Sequence, residues 1–287
     1  MNAHPTLYAI LLTIAASSLL AGMDALGKFL MGEFSTFQVT WARFVFHVAI
    51  VATIFVLQGY RDFVKTRAPK AQLARGACMT GINTALYFAI QTVSLAEATA
   101  LMYLAPVLVT VLAGAWLKEQ VTPRHVFAVV TGFCGVLIII RPGFQAFDPA
   151  MLLAFGASVL LALYFLLTRK VSGVDDPRTS LFYTSIVGAV VLSTVVPLTW
   201  KSPDPSQWLL LAGMGALGAA GHFLLIKAYS LLPASELSPW LNAQVIAATV
   251  FSVVVFRDVL GWNFFVGASL IVGSGLLLRL GRSRLGL

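Results

Sequence analysis

The side chains in this sequence that could do chemistry are sparse and sit in apolar surroundings. His222 is one of four histidines in 287 residues, and imidazole is the group best placed to titrate near neutral pH. Arg43 and His47 lie four apart, and Lys227 follows His222 in the same apolar run. Around them run uncharged polar residues at regular spacing. One set is Thr80, Asn83, Tyr87, Gln91 and Ser94; a second is Thr99, Tyr103, Pro106 and Thr110. A third is Ser238, Asn242, Thr249 and Ser252, and a fourth is Thr13, Ser17, Asp24 and Lys28. Steps of three or four place each set on one face of a helix. Polar groups are costly in hydrocarbon, so such faces turn inward, to bond a neighbouring helix or to line a wet cavity. Hydroxyls and amides of this kind suit reversible binding, with Tyr87, Tyr103, Trp41 and Trp240 as aromatic walls; Trp41 and Trp240 equally fit interfacial anchors.

Covalent chemistry has little to stand on. There is no H-E-x-x-H, no G-x-S-x-G and no His followed by Glu, which argues against an intramembrane enzyme. Gly22 to Phe29 satisfies G-x-x-x-x-G-K but ends in Phe and lies within an apolar helical run. A phosphate-binding loop needs a strand before it and Ser or Thr after the lysine, so nucleotide binding is rejected. Cys78 and Cys134 have neither metal nor disulfide spacing and read as two small buried apolar residues. No cofactor and no metal is expected.

The elements that must position these groups are helices in a bilayer. The chain is 59% hydrophobic and 10% charged, against about 25% charged for a soluble domain. Ten apolar spans are expected, near 6–31, 36–58, 72–92, 96–117, 123–140, 149–168, 179–199, 207–230, 235–256 and 261–280. Lipid leaves backbone groups no outside partner, so the spans should be α-helices, and the fold class is an all-α membrane protein. The first span lacks a basic n-region and is too long for a signal peptide, so it counts as a true span. The net charge of +8 is a topology signal. Lys and Arg gather in the breaks at 61–75, 118–124, 169–178 and 279–284, whereas the opposite breaks hold only Arg141, Lys201 and Arg257, with Lys28 near. Both termini are therefore expected in the cytoplasm, against anionic lipid, with no nucleic-acid partner.

The sequence also matches itself. A shift of 139 lays Glu97 on Glu236, Thr110 on Thr249 and Lys118-Glu119 on Arg257-Asp258. The same shift pairs Thr99 with Ser238, Tyr103 with Asn242, and Asn83 with His222. A shift of 141 lays Ser17 on Ser158, Leu20 on Leu161 and Lys28 on Arg169. Two halves, 1–141 and 142–287, then hold five spans each, and an odd number makes the second half enter from the opposite side. Ser94 and Glu97 fit a capping box, and Glu236 suits the first turn of its helix; His222, Glu97 and Glu236 are the candidates for proton coupling. The two basic-acidic pairs fit interfacial anchors. Pro106 and Pro239 predict bent helices, and the glycines and alanines of 212–221, with Gly132, Gly135, Gly267, Gly273 and Gly275, predict close helix packing.

The run Ala96-Glu97-Ala98-Thr99-Ala100-Leu101-Met102-Tyr103-Leu104-Ala105-Pro106-Val107, followed by Lys118-Glu119 and by Gly132 and Gly135, resembles the first EamA repeat of the drug/metabolite transporter superfamily. Leu232-Pro233-Ala234-Ser235 through Arg257-Asp258 resembles the second, and together they cover essentially the whole chain. A narrower likeness is to bacterial aromatic amino-acid exporters of the YddG type, from which the chain departs at Ala105 and Val245. The resemblance implies a ten-helix basket with the fifth and tenth spans set apart, a pathway among spans 1, 3, 4, 6, 8 and 9, and efflux of amino acids or similar metabolites from the cytoplasm. On this reading the chain is a secondary transporter of the inner membrane working by alternating access. Asn83, Tyr87, Tyr103, His222, Ser238, Asn242, Ser17 and Trp41 are expected to shape its site. The expected partners are a small-molecule substrate and lipid; a monomer suffices and a dimer is allowed. Rival readings are movement of other metabolites or drugs in either direction, or a membrane channel or scaffold.

Overall fold

The computed structural model describes residues 3–105, 107–109, 112, 123–140, 148–171, 173–232 and 237–280. Among the described residues the chain is helical and has no β-strand. The helices are α1 (Ala3–Leu30), α2 (Thr36–Leu57), α3 (Pro69–Ala89), α4 (Leu95–Met102), α5 (Pro123–Ile140), α6 (Ala150–Val171), α7 (Pro177–Val195), α8 (Pro205–Leu231), α9 (Ala243–Val254) and α10 (Trp262–Leu280). Short 3₁₀ turns occupy Asp62–Val64, Val196–Thr199 and Ser238–Asn242. The starts are set by local chemistry. The Ser35 hydroxyl accepts from the Gln38 amide, and Asp204 and Gln207 form a reciprocal capping box. Proline opens α3, α7 and α8 where an amide hydrogen would be orphaned anyway.

Among the described residues, five segments are long and apolar enough to cross a membrane: Thr6–Leu30, Thr36–Leu57, Ala150–Thr168, Pro177–Thr199 and Pro205–Leu231. α3 has 21 residues but carries Lys70, Gln72 and Arg75 in its first two turns. Spans 4 and 9 are interrupted rather than continuous. α4 stops at Met102, and Tyr103 and Leu104 form a turn. Span 9 opens as the 3₁₀ helix Ser238–Asn242, with Pro239 near its start, before becoming α-helical at Ala243. Pro106, Thr110, Lys118, Glu119 and Glu236 lie outside the described residues.

The strongest packing joins α1 to α8, α3 to α6, and α5 to α10; α2 lies against α7 and α8, and α9 lies against α1 and α4. Small residues set these approaches. A Cβ on Gly215 would meet Phe46 and the His47 backbone, one on Gly218 would meet Met23 and His47, and one on Gly221 would meet Leu20. At the crossing of α5 and α10, a Cβ on Gly135 would lie 2.7 Å from the Gly267 carbonyl, and one on Gly267 would lie 2.6 Å from that of Gly135. Gly273 has open space around it, so it is not a packing glycine as expected. Cys134 is likewise exposed on α5 and Cys78 is half-buried, against the expectation of two buried thiols.

Each end of the bundle is fastened by a polar clasp. At one end Lys201 pairs with Glu33 at 3.7 Å, the Gln207 amide donates to Glu33 at 2.5 Å, and Gln38 donates to the Lys201 carbonyl at 2.7 Å. At the other, Asp175 accepts from Thr66 at 2.5 Å, from the Arg67 amide at 2.8 Å and from Gln72 at 2.8 Å. Gln72 in turn accepts from Arg75 at 2.6 Å, and Arg75 donates to Thr168 at 2.9 Å and Tyr164 at 3.1 Å. The loops carrying Glu33 and Lys201 join α1 to α2 and α7 to α8; those carrying Arg67 and Asp175 join α2 to α3 and α6 to α7.

Two outcomes are expected on thermal unfolding of the purified protein in detergent. Gly135→Leu or Gly267→Leu overpacks the α5–α10 crossing and costs about 1–3 kcal/mol, while Gly156→Ala, with nothing within 4 Å, leaves the midpoint unchanged. Desolvation pushes the Asp175 carboxyl up, but the bonds from Thr66, Gln72 and the Arg67 amide outweigh it and the net shift is downward. Its stabilisation is therefore present above the ordinary carboxylate pKa of about 3.9 and is lost as pH falls through the lowered folded value. Asp175→Asn lowers the midpoint at pH 7, and the gap to wild type closes below about pH 4.

Candidate functional site

A cavity of about 380 Å³ lies at the centre of the bundle. Its floor is charged. Arg43 of α2 faces Asp24 of α1 at 3.5 Å, and Arg43 also donates to the Asn83 side-chain oxygen of α3. Tyr87 donates to the same Asp24 oxygen at 3.5 Å from behind, and its ring lies under the Arg43 guanidinium, 5.7 Å from the centroid. Asp24 is 5% exposed and Arg43 8%, so the pair is shielded on most sides, yet both line the cavity. Gly27 makes this possible, since a Cβ there would lie 2.7 Å from the Tyr87 hydroxyl. Gly27 and Lys28 of the phosphate-loop look-alike thus have a packing role and an ion-pairing role.

The walls are of two kinds. Asn83, Thr99, Tyr103, His222, Asn242 and Gln244 supply hydrogen-bonding groups, and Tyr103 donates to the Leu241 carbonyl at 2.5 Å. Leu161, Tyr164, Phe165, Leu225 and Tyr229 supply apolar and aromatic surface. The ring of His222 stands 5.3 Å from that of His47, whose Nε2 is buried with no partner among the described residues. α2 and α10 reach the cavity through Arg43 and through Ile271 and Val272. The tenth helix is thus not set apart, as the resemblance implied; Ile271, one turn beyond Gly267, lies against Gly135 of α5 and also lines the cavity.

The cavity has a direction. Tyr164, Phe165, Leu225, Tyr229 and Leu241 lie in the half of the bundle that also holds the Asp175 clasp. Towards the Glu33 end the buried Leu30, Phe34, Ile90, Val93 and Leu95 belong to the central core. Over them Lys28 donates to the Val93 carbonyl at 3.0 Å, pairs with Asp258 at 3.7 Å and sits 5.0 Å from the Phe256 centroid. Arg257 beside it takes φ of 59°, a conformation uncommon outside glycine.

The sequence-derived residues divide accordingly. Asn83, Tyr103, His222 and Asn242 meet around the cavity. Tyr87 is fully buried behind the floor. Ser17 is buried with no hydrogen-bond partner among the described residues and is not among the lining residues. Trp41 turns away from the cavity, donating to Ser193 at 2.9 Å and meeting Trp200 edge-on, while Trp240 is 42% exposed. The Ser238 side chain lies outside the described residues. Gln91 and Ser94 fall beyond the end of α3 at Ala89, so they leave its polar face. Ser94 instead caps α4, accepting from the Glu97 amide at 3.1 Å, while its hydroxyl donates to the Glu97 carboxylate at 2.7 Å. Ser252 reaches across to accept from the Ala96 amide at 2.9 Å. The Asp24–Arg43 floor was the group that sequence reasoning underweighted. Its signal was present, because an ionisable residue inside a span marks function by default.

Positions related by the sequence shifts line the cavity together. Leu20, Met23 and Asp24 correspond to Leu161, Tyr164 and Phe165; Asn83, Leu86, Met102 and Tyr103 correspond to His222, Leu225, Leu241 and Asn242. The EamA-like transporter family matches the chain twice, over residues 7–141 and 148–280. The chain belongs to the EamA-like transporter family. It is a multi-pass membrane transporter and not an enzyme.

An S-adenosylmethionine uptake transporter of Rickettsia bellii (strain RML369-C) is 25% identical over 268 residues, covering 93% of this chain and 91% of the relative. A riboflavin transporter of Vibrio cholerae is 28% identical over 273 residues, covering 94% and 92%. Human solute carrier family 35 member G1 is 27% identical and covers 83% and 70%. A crystal structure matches with a TM-score of 0.65 and 22% identity over 96% of this chain and 98% of that chain, a likeness of fold. Small-metabolite transport fits the relatives named for S-adenosylmethionine and riboflavin.

Tyr103 and Asn242 both line the cavity, with Tyr103 donating to the Leu241 carbonyl next to Asn242. Alanine at both positions is expected to lower the transport rate about 10-fold or more while leaving the unfolding midpoint within a few degrees, as for loss of polar contacts to a bound substrate. Initial rates in proteoliposomes and thermal unfolding check this together.

Proposed function

We propose that this transporter moves an amino acid or a similar small metabolite through the central cavity by alternating access. The observation that carries this reading is one cavity with a charged floor, mixed polar and aromatic walls, and a single sealed end. A channel would need no seal of that kind. The two halves, 1–141 and 142–287, are read as inverted five-helix repeats with ten spans in all and both termini in the cytoplasm of an inner membrane. On that topology the basic end, with Arg61, Lys65, Arg67, Lys70 and Arg178, is cytoplasmic, and the cavity mouth faces the cytoplasm. Lys28, Asp258 and the Val93 carbonyl then form the external latch. A monomer is sufficient for this cycle.

Uptake is supported by the relatives named for uptake of S-adenosylmethionine. Export, implied by the narrower likeness, is the second reading; a mouth on the cytoplasmic side belongs to the cycle in either direction. His222 is the foremost coupling group, because it lines the cavity beside the buried His47. Glu97 is read as a cap, and Glu236 remains a second coupling candidate from sequence.

Uptake and efflux in proteoliposomes across an amino-acid panel with riboflavin and S-adenosylmethionine, with and without a pH gradient, tests the whole reading. Saturable flux with counterflow is expected; flux that never saturates and lacks counterflow would sink it. Asp258→Asn removes one side of the latch and is expected to raise labelling, by a membrane-impermeant thiol reagent added outside, of a cysteine placed at Leu30. Unchanged labelling would show that the latch does not hold that end shut.

A further inference from the structure

The charged floor admits a more definite assignment, which rests on the transport reading above. We infer that Asp24 and Arg43 are a clamp for a zwitterionic amino-acid end, Asp24 taking the ammonium and Arg43 the carboxylate of the substrate. The aromatic wall of Tyr164, Phe165 and Tyr229 takes a flat or apolar body. The argument begins with distance. A close pair between a guanidinium and a carboxylate sits at roughly 2.7–2.9 Å, whereas Arg43 and Asp24 stand 3.5 Å apart. Each has a further partner of its own. Tyr87 reaches Asp24, and the Arg43 guanidinium is held by Asn83 and lies over the Tyr87 ring. Two opposite charges that are buried, separately braced and both at a cavity surface can exchange each other for a ligand carrying the same two charges. No other small group replaces both partners at once; an amine alone or an acid alone leaves one buried charge unpaired, which is heavily disfavoured.

The arrangement also fixes orientation. Asp24, Arg43 and Asn83 sit towards the sealed end, while Phe165, Leu225 and Tyr229 sit towards the mouth. A substrate therefore enters charged end first, with its body among apolar side chains. On α1, Asp24 and Lys28 are four residues apart, so they lie on one helix face about 6 Å apart along the axis. Pulling Asp24 towards an ammonium group moves the same helical turn that holds Lys28 to Asp258 and Val93. The clamp and the latch are thus mechanically joined through α1.

The test uses the full-length protein in proteoliposomes with five probes: L-phenylalanine, phenethylamine, 3-phenylpropionate, S-adenosylmethionine and riboflavin. Wild-type protein is expected to exchange at least one of the two α-amino acids. The amine-only and acid-only analogues should compete about 100-fold or more weakly than phenylalanine. Asp24→Asn should lose the preference for phenylalanine over 3-phenylpropionate, and Arg43→Gln the preference over phenethylamine. The doubly exchanged Asp24→Arg/Arg43→Asp keeps an ion pair. It should retain the unfolding midpoint but not the amino-acid flux. Restored flux in that variant would reduce the pair to a structural bridge and overturn the clamp. Flux of riboflavin alone, or equal competition by all three phenyl probes in wild type, would overturn the clamp while leaving the transport reading standing. No flux of any of the five would overturn the transport reading itself. The wild-type competition series needs no variant, so it decides even where a substitution prevents folding.

Discussion

A carboxylate and a guanidinium facing each other inside a bilayer are the constraint around which this molecule is arranged. Neither Asp24 nor Arg43 could remain charged there alone, because the penalty for taking an ion out of water is several kcal/mol even after relaxation. Their mutual approach therefore dictates where α1 and α2 meet. α3 must bring Asn83 and Tyr87 to the same depth, and α1 must present Gly27 where the Tyr87 ring comes in. α8, packed on both α1 and α2, must be thin on that side, and Gly215, Gly218 and Gly221 make it so. The small-residue run of α8 is thus a consequence of what its neighbours carry as much as a helix-packing device.

The two ends of the bundle obey a different requirement. The Glu33–Lys201 clasp and the Asp175 clasp are built from loops that connect corresponding pairs of helices, and both fasten α2 and α7 to their neighbours. At the Glu33 end, the contacts of Lys28 with the Val93 carbonyl and Asp258 lie over the buried side chains of Leu30, Phe34, Ile90, Val93 and Leu95. On the proposed cycle the clasps hold the frame while α1 and the segments it touches rearrange.

Much of this was legible in the sequence. Helical spans were expected and the described residues are helical, five of the helices being long and apolar enough to cross a membrane, because a lipid-buried backbone has few options. Asn83 with His222 and Tyr103 with Asn242 were matched by register alone, and the fold brings all four to one cavity. Trp41, Tyr87 and Ser17 were polar or aromatic residues on the expected faces, but a face covers about 100° of a helix. Which neighbour fills that arc is decided by packing. Trp41 is claimed by Ser193 and Trp200, and Tyr87 by Asp24 and Met214. Gln91 and Ser94 kept the right spacing past the point where the helix stops, so periodicity alone overran the boundary. Asp24 and Arg43 were visible as rare charges, yet their pairing is tertiary and no spacing rule connects them.

The matching of the two halves gains its meaning from where it fails. At the floor, Leu20, Met23 and Asp24 of α1 stand where α6 has Leu161, Tyr164 and Phe165. The first half thus contributes a charge at a position where the second contributes a ring. Deeper along the wall, Asn83 answers to His222 and Tyr103 to Asn242, so polar groups persist but change kind. A cavity lined by two identical halves would have no preferred orientation for its ligand, since each end would offer the same groups. Here the charged contributions come from the first half and the aromatic ones chiefly from the second, so the cavity is polarised along its length. On the proposed clamp, a substrate with one charged end and one apolar end is held in a single orientation by such a site. Shared register provides a frame that two related halves can reorient, and the unlike residues at equivalent positions give that frame something specific to hold.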